Sequence, residues 1–256
     1  QIGGHSLLAI QMASHVKTAF GVNFPLREIF LRSIFESFAK FTGELHKVHD
    51  ETNFKLPAII PDPQNRFKEF PLTDIQQAYW IGRGGDLELG NVAVHGYSEF
   101  DHEELDVDRL EQAWNRLIER HEALRLIFPG NGYQKILSEV PYYKFLRRDY
   151  GKLPSEVREE KIQKVREELS HEVMPAEKWP LFNISVTYFP EKVRLHLSFD
   201  ALILDGWSFD ILFEEWKQLY NNIEEPLPPL DVSFRDYVLA EYNLRTTPLY
   251  EKDRSY

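Results

Sequence analysis

One stretch in the C-terminal third of the chain constrains the fold more than any other. Residues 193–200 alternate strictly between apolar and polar side chains, which is the period of a β-strand. A turn follows, and residues 209–220 then have the spacing of an amphipathic helix. The apolar side chains of the strand, which we expect to share one face, are Val193, Leu195, Leu197 and Phe199. The chain therefore has to pack helices against a sheet.

Helix and strand patterns continue to alternate over residues 70–256. Helices are predicted after the capping residues Thr73 and Asp106 and at 156–172 and 234–243. Strands are predicted at 91–100, 124–128, 133–138 and 183–189, the last of these in a hairpin with 193–199. This combination predicts an α/β (α+β) domain with a mixed sheet.

The N-terminal residues 1–46 predict a small helical unit. Ser6 is a good N-cap for a helix that ends at Gly21. A capping box at Ser33–Glu36 begins a second helix, which ends near Gly43. Two such helices alone bury little apolar surface, so we expect part of this unit to be missing from the chain.

Residues 47–69 separate this helical unit from the α/β domain. They contain Pro57, Pro61 and Pro63 and have no helical or strand period, so we interpret them as a linker. Both ends of the sequence look cut, and we treat the chain as a piece of a longer polypeptide.

Charge and composition exclude several classes of function. The formal net charge of −11 argues against a nucleic-acid binder. The absence of cysteine excludes disulfides and thiolate metal sites. The apolar runs are far shorter than the roughly 20 residues that cross a bilayer, and no export signal opens the chain, so we expect a cytoplasmic protein without a membrane segment. No histidine pair has metal-ligand spacing, and we predict no metal site.

The string Gly3-Gly4-His5-Ser6-Leu7-Leu8 places a serine at the start of a helix. Taken alone, this serine is an ordinary N-cap, although a helix N-terminus also favours a phosphate there. Together with residues 24–30, the string resembles the carrier domains of non-ribosomal peptide synthetases (NRPSs), without that family's first helix. The resemblance implies a peptidyl carrier fragment over 1–46 with 4′-phosphopantetheine attached to Ser6.

A second motif opens the α/β domain. Residues 70–83, FPLTDIQQAYWIGR, resemble the opening motif of NRPS heterocyclization domains. Residues 120–125 resemble a motif that these domains share with condensation domains, and 230–239 resemble a further heterocyclization motif. The family fold is a pseudo-dimer of two chloramphenicol-acetyltransferase-like lobes. The resemblance therefore implies that 70–256 form the first lobe and that a second lobe is its partner.

The third motif spans the end of the 193–200 strand and the next helix. From the residues alone, Asp205 and Ser208 are caps and Asp200 forms a salt bridge. The pattern D-x-x-x-x-D-x-x-S, however, resembles the heterocyclization signature, which replaces the H-H-x-x-x-D-G motif of condensation domains. Asp200 then stands at the first histidine and Ala201 at the second, the usual candidate base. Because alanine cannot accept a proton, any base must lie elsewhere.

The resemblance suggests a role for each residue of this motif. We expect Asp200 to touch the reacting amine. We expect Asp205 to form a structural ion pair with an arginine of the 120–125 motif, and Ser208 to be a cap that fixes the loop. These three residues are the candidate catalytic set.

The activity implied by the resemblance is condensation followed by cyclodehydration. A carrier-tethered acyl donor would be joined to a Cys, Ser or Thr thioester on a downstream carrier and closed to a thiazoline or oxazoline. A phosphopantetheinyl transferase and an adenylation domain would prime and load the carrier. Two alternatives remain open, namely a condensation domain that forms only an amide, and a non-catalytic lobe on which carriers dock.

Overall fold

The computed structural model describes residues 6–21, 24–31, 35–47, 57–83 and 93–254. The chain divides into two compact units, Gln1–Lys55 and Leu56–Tyr256. Each unit has its own apolar core among the described residues. We describe the two units separately.

The first unit is helical in its described part. Its helices are α1 (Ser6–Phe20), α2 (Leu26–Leu31) and α3 (Phe35–Lys47). Helix α1 ends as predicted at Gly21, whose φ of 68° is the left-handed conformation that glycine tolerates. Val16, Phe24 and Phe38 form the small core, in which the rings of Phe24 and Phe38 lie 4.4 Å apart. The sequence analysis did not predict α2, and Gly3–His5 and Ser33 lie outside the described residues.

The second unit mixes strands and helices, as the sequence predicts. Its strands are β1 (Phe70–Pro71), β2 (His95–His102), β3 (Leu126–Ile127), β4 (Tyr133–Ile136), β5 (Leu146–Asp149), β6 (Phe182–Tyr188) and β7 (Val193–Asp200). Its helices are α4 (Asp74–Gly82), α5 (Val107–Arg120), α6 (Ser155–Ser170), α7 (Gly206–Asn221), α8 (Phe234–Leu244) and α9 (Pro248–Arg254). Among the described residues, no helix is both long and apolar enough to span a membrane.

The larger sheet has the strand order β2-β7-β6-β5. Its β2–β7 and β6–β7 pairs are antiparallel and its β5–β6 pair is parallel, which confirms the predicted mixed sheet and the predicted β6–β7 hairpin. A smaller antiparallel sheet has the order β1-β4-β3. The strand predicted at 124–128 is largely wrong, because a 3₁₀ turn over Glu122–Arg125 leaves only Leu126–Ile127 extended.

Both faces of the larger sheet are covered. On the apolar face of β7, Trp114 of α5 is fully buried and contacts Phe199 of the strand and Trp216 of α7. Helix α6 covers the opposite face with Ile162, Val165 and Leu169, which pack against Tyr97 of β2. The polar face predicted for β7 is therefore internal, and the side chains buried there include His196, Ser198 and Asp200.

The second half of the region interpreted as a linker is attached to the second unit. The backbone N–H of Asp62 donates to Asp236 of α8 at 3.1 Å, and Arg235 lies 3.3 Å from the Asp62 carboxylate. Arg66 forms an ion pair with Glu122. Residues 57–69 thus make specific contacts with the lobe, whereas residues 48–56 lie outside the described part of the chain.

Candidate active site

Asp200 ends β7 and is one half of a buried ion pair. Its side chain is only 2% exposed and pairs with the guanidinium of Arg83, which is 8% exposed. The second carboxylate oxygen accepts a hydrogen bond from the backbone N–H of Leu202 at 3.0 Å. Arg83 also donates to the carbonyl of Met174. Asp200 therefore fixes the start of the loop at 201–205, as the salt-bridge interpretation predicts; its contact with the reacting amine stays a prediction.

Asp205 ends the same loop and caps the next helix. Its carboxylate accepts a hydrogen bond from the backbone N–H of Ser208 at 2.8 Å, in the first turn of α7. Partial burial acts to raise the pKa of Asp205, but hydrogen bonds from the Ser208 side chain and from backbone amides outweigh it and hold the pKa below its usual value. Ser208 thus acts as a donor to the capping residue, and both residues fix the loop onto α7.

The expected ion pair between Asp205 and an arginine of the 120–125 motif is wrong. Arg125 is buried and donates instead to backbone carbonyls, among them those of Ile118 at 3.0 Å and Leu137 at 2.6 Å. Arg120 pairs with Glu215 at 2.9 Å. The physical reason is that helix-end amides already satisfy the Asp205 carboxylate, while the arginines bind nearer acceptors.

Two fixed residues of the opening motif hold the loop from its other side. Thr73 caps α4 in the predicted position and forms a capping box with Gln76. The side-chain amide of Gln76 donates to the Leu202 carbonyl at 2.9 Å and exchanges hydrogen bonds with the buried Gln134. Arg83, at the end of the motif, pairs with Asp200. The sequence analysis did not connect Gln76 and Arg83 with the loop, although both residues belong to the opening motif at 70–83.

A cavity of about 490 Å³ lies between β2, β7, α4 and the start of α7, within the range usual for small-molecule sites. Its apolar wall is formed mainly by Ile75, Tyr79, Val94, Leu197, Phe199, Leu204 and Phe209. The polar lining residues include His95, Ser98 and Asp205, and the His95 ring is bound to the Leu169 carbonyl of α6 at 3.0 Å. Of the signature residues, Ala201 and Asp205 line the cavity, whereas the carboxylate of Asp200 is bound to Arg83.

A second polar cluster lies under α6 and is separate from the cavity. His196 of β7 is fully buried; its Nδ1 lies 2.8 Å from the hydroxyl of Tyr97 and its Nε2 lies 2.9 Å from that of Thr187. Burial lowers the pKa of His196 to about 4, so this histidine is neutral near pH 7. His121, by contrast, contacts Glu215 at 2.6 Å. No group of residues suited to hold a metal ion occurs in the described ranges.

The second unit is thus a mixed α/β lobe with a loop-lined cavity at the end of β7. The Condensation domain model matches residues 67–256, and the chain belongs to the condensation domain family of NRPSs. Bacitracin synthase 1 of Bacillus licheniformis is 36% identical over the whole chain. Pyochelin synthetase PchF of Pseudomonas aeruginosa is 32% identical over 78% of it, and phenyloxazoline synthase MbtB of Mycobacterium tuberculosis is 33% identical over 73%.

Solved structures support the same family. The EpoB NRPS cyclization-docking bidomain from Sorangium cellulosum superimposes with a TM-score of 0.77 at 28% identity, covering 96% of this chain and 51% of that one. The NRPS FmoA3, in its α-methyl-L-serine-AMP bound form, superimposes with a TM-score of 0.66 at 28% identity, covering 79% of this chain and 21% of that one. The chain spans only 5%, 11% and 13% of the three curated relatives, respectively.

Proposed function

We propose that this domain joins a carrier-tethered acyl donor to a Cys, Ser or Thr thioester and then closes the product to a thiazoline or oxazoline. Two named relatives support this choice over plain amide formation: phenyloxazoline synthase MbtB and the cyclization bidomain of EpoB. Both resemble the chain over its condensation-type region.

The observation that carries the proposal is the place of Ala201. By resemblance, this residue stands where amide-forming condensation domains have their second histidine. In the structure Ala201 lines the cavity, and its side chain offers no base. The neighbouring Asp200, at the place of the first histidine, is bound to Arg83. The missing histidine at this motif position supports heterocyclization over plain amide formation.

The chain's own residues contribute positioning to this reaction. The acceptor's amine first attacks the donor thioester, which forms the amide and releases the thiol of the donor carrier. The acceptor's side-chain thiol or hydroxyl then attacks the new amide carbonyl, whose oxygen leaves as water. Asp205, Ser208 and Gln76 hold the loop that forms one wall of the cavity. Holding two thioesters in one geometry replaces an encounter in solution by an effectively intramolecular step.

We further propose that Ser6 carries 4′-phosphopantetheine, whose thiol holds the donor as a thioester when the group is bound. Ser6 is the first residue of α1, where helix-end amides and the helix dipole favour a phosphate. The supporting Gly3–His5 string lies outside the described residues. A phosphopantetheinyl transferase and an adenylation domain are the partners that prime and load such a carrier.

The modification of Ser6 is tested by mass. Incubation of the synthetase with coenzyme A and a phosphopantetheinyl transferase should add one phosphopantetheine to the segment that contains Ser6. Ser6→Ala should abolish the addition, whereas the control Ser14→Ala, within the same helix, should keep it. A mass increase that persists in Ser6→Ala would show that the arm is attached elsewhere.

The ring-forming activity is tested by product analysis with the complete synthetase. A Cys-loaded acceptor carrier should give a product lighter than the open amide by one water. An Ala-loaded acceptor, which has no side-chain nucleophile, is the control and should give only the amide. An open amide with Cys would identify a plain condensation domain, and absence of any coupled product would identify a docking lobe.

A further inference from the structure

A buried pair of glutamine side chains connects the smaller sheet to the loop at 201–205. The members of the pair are Gln76 of α4 and Gln134 of β4, and the second is fully buried. Gln76 donates to the side-chain oxygen of Gln134 at 3.0 Å, and Gln134 donates to that of Gln76 at 2.7 Å. Gln134 also donates to the Pro71 carbonyl at 3.0 Å, and Gln76 also donates to the Leu202 carbonyl at 2.9 Å. The pair therefore joins β1 to the loop.

These partners fix the orientation of both amides. A backbone carbonyl only accepts hydrogen bonds, so the NH₂ group of each glutamine has to face its carbonyl partner. If the Gln134 amide were turned over, its oxygen would lie against the Pro71 oxygen and its NH₂ group against that of Gln76. In the described part of the chain, Gln134 makes two of the four hydrogen bonds at the Gln76 side chain, and Thr73 and Leu202 make the others. Without Gln134, a buried N–H of Gln76 would lose its acceptor.

The Leu202 peptide is the point at which this pair acts on the loop. Its N–H donates to the Asp200 carboxylate at 3.0 Å, and its carbonyl accepts from Gln76. The neighbouring Ala201 and the following Leu204 line the cavity. A shift of the Leu202 peptide would therefore move the cavity wall. In a site that works by positioning, a misplacement of about 1 Å can cost about 100-fold in rate.

We propose that Gln134 is a positioning residue of this domain, which acts through Gln76 to fix the Leu202 carbonyl and with it the cavity wall. Neither glutamine is among the described residues that line the cavity, so the effect on any reaction there is indirect. That this wall borders a reaction rests on the proposed function. The hold on the loop rests only on the hydrogen bonds, so it can be measured without any product.

The test compares Gln134→Met with the unchanged protein, both as the complete synthetase. Hydrogen exchange by mass spectrometry reports on the amides at 201–205, and product analysis with a Cys-loaded acceptor carrier gives the rate. We expect faster exchange at 201–205, because the loop loses part of its support. We expect a rate lower by at least about 10-fold. Gln134→Asn, which has the same amide on a chain shorter by one methylene, should be intermediate and serves if the methionine variant does not fold.

The matched control is Asn115→Leu, which removes buried hydrogen bonds away from the loop. Asn115 of α5 is buried and bonds to the backbone of Glu111 and Tyr143. The control should lower the free energy of unfolding, yet keep the exchange at 201–205 and the rate of the unchanged protein. A rate that falls equally in the control and in Gln134→Met would overturn the proposal, since general destabilisation would then explain the loss.

Two further results would overturn the proposal, namely unaltered exchange at 201–205 in a folded Gln134→Met variant and faster exchange there with an unaltered rate. An open amide from the unchanged protein would contradict only the proposed ring closure, and the rate of amide formation would then measure the effect of Gln134. No coupled product at all would contradict the proposed function and the positioning role together.

Discussion

Asp200 and Asp205 lie on one short loop, yet their carboxylates have different partners. Asp200 is buried against a guanidinium, and a buried charge that loses its partner is costly. Asp205 is exposed and accepts hydrogen bonds from helix-end amides, an arrangement worth much less. Of the two carboxylates, Asp200 therefore contributes more to the stability of the fold. The sequence analysis had assigned the structural ion pair to Asp205 instead.

This difference predicts unequal losses of stability. Asp200→Ala should lower the free energy of unfolding by about 3–5 kcal/mol, because it leaves Arg83 unpaired in the interior. Asp205→Ala, the matched control on the same loop, should lower it by about 1 kcal/mol through the lost helix cap. Denaturant unfolding of the two variants measures both. The double variant Arg83→Met/Asp200→Ala should be more stable than Asp200→Ala alone, and equal losses in the two single variants would contradict the assignment.

At the scale of single residues, the sequence predicted the helix caps but not that Arg83 is the partner of Asp200. A cap is local, since Thr73 and Asp106 begin helices within three residues of the amides they bind. The partner of Asp200 is 117 residues away, and Arg120, Arg125 and Arg83 are all arginines in recognisable motifs. Only the fold decides which guanidinium reaches which carboxylate.

At the scale of elements, the alternating pattern of β7 correctly predicted a strand but did not predict that its polar face is buried. Its side chains alternate as predicted, but α6 covers the polar face, so His196 and its neighbours form a buried network. The pattern predicted strands well where one face is apolar. It missed β5, whose side chains are mostly exposed and carry charge, and therefore show no alternation.

The burial of His196 predicts a pH dependence of stability. Its folded pKa of about 4 is below the ordinary 6.5, so the unfolded chain takes up a proton first as the pH falls. Its contribution is fully present above pH 6.5 and is lost between about pH 6.5 and 4, at up to about 1.4 kcal/mol per pH unit. Unfolding free energies measured across this window should fall with decreasing pH.

The variant His196→Gln tests this contribution, because it removes the titrating ring and leaves every carboxylate of the chain in place. The difference in unfolding free energy between the two proteins should change by about 3 kcal/mol at most over the window. The exposed residue His102, changed to Gln, is the control and should leave the slope unaltered. A pH-independent difference for His196→Gln would contradict a lowered pKa of His196 in the folded protein.

At the scale of the whole molecule, the chain consists of a helical unit and one α/β lobe. The mixed α/β fold class of the lobe was predictable, because its core elements have clear helical or strand periods in the sequence. The attachment of residues 57–69 to α8 was not, since the contacts of Asp62 and Arg66 join segments far apart in sequence. The EpoB bidomain extends well beyond the region that this chain matches.

This extent predicts how the activity depends on chain length. By resemblance, donor and acceptor paths meet between two lobes, and the cavity of this lobe is open to solvent at Ile75 and Asp205. We expect the 256-residue polypeptide to form no ring with loaded donor and acceptor carriers, because water weakens the electrostatic interactions of an open site. A polypeptide extended over the region that matches the rest of the EpoB bidomain should form it. Comparable rates for both, measured by product analysis, would place the whole site on this lobe.

The bond between Arg83 and Asp200 has a consequence for protein engineering. The opening motif and the signature loop are separate in the sequence but are in contact in the fold. Arg83 pairs with Asp200, and the Gln76 side chain donates a hydrogen bond to the Leu202 carbonyl. If the loop alone were transplanted into an amide-forming synthetase, the Asp200 carboxylate would be introduced without the Arg83 guanidinium that pairs with it. A graft that carries α4 and Arg83 together with residues 200–208 keeps the Asp200 carboxylate paired and keeps the hydrogen bond from Gln76 to Leu202.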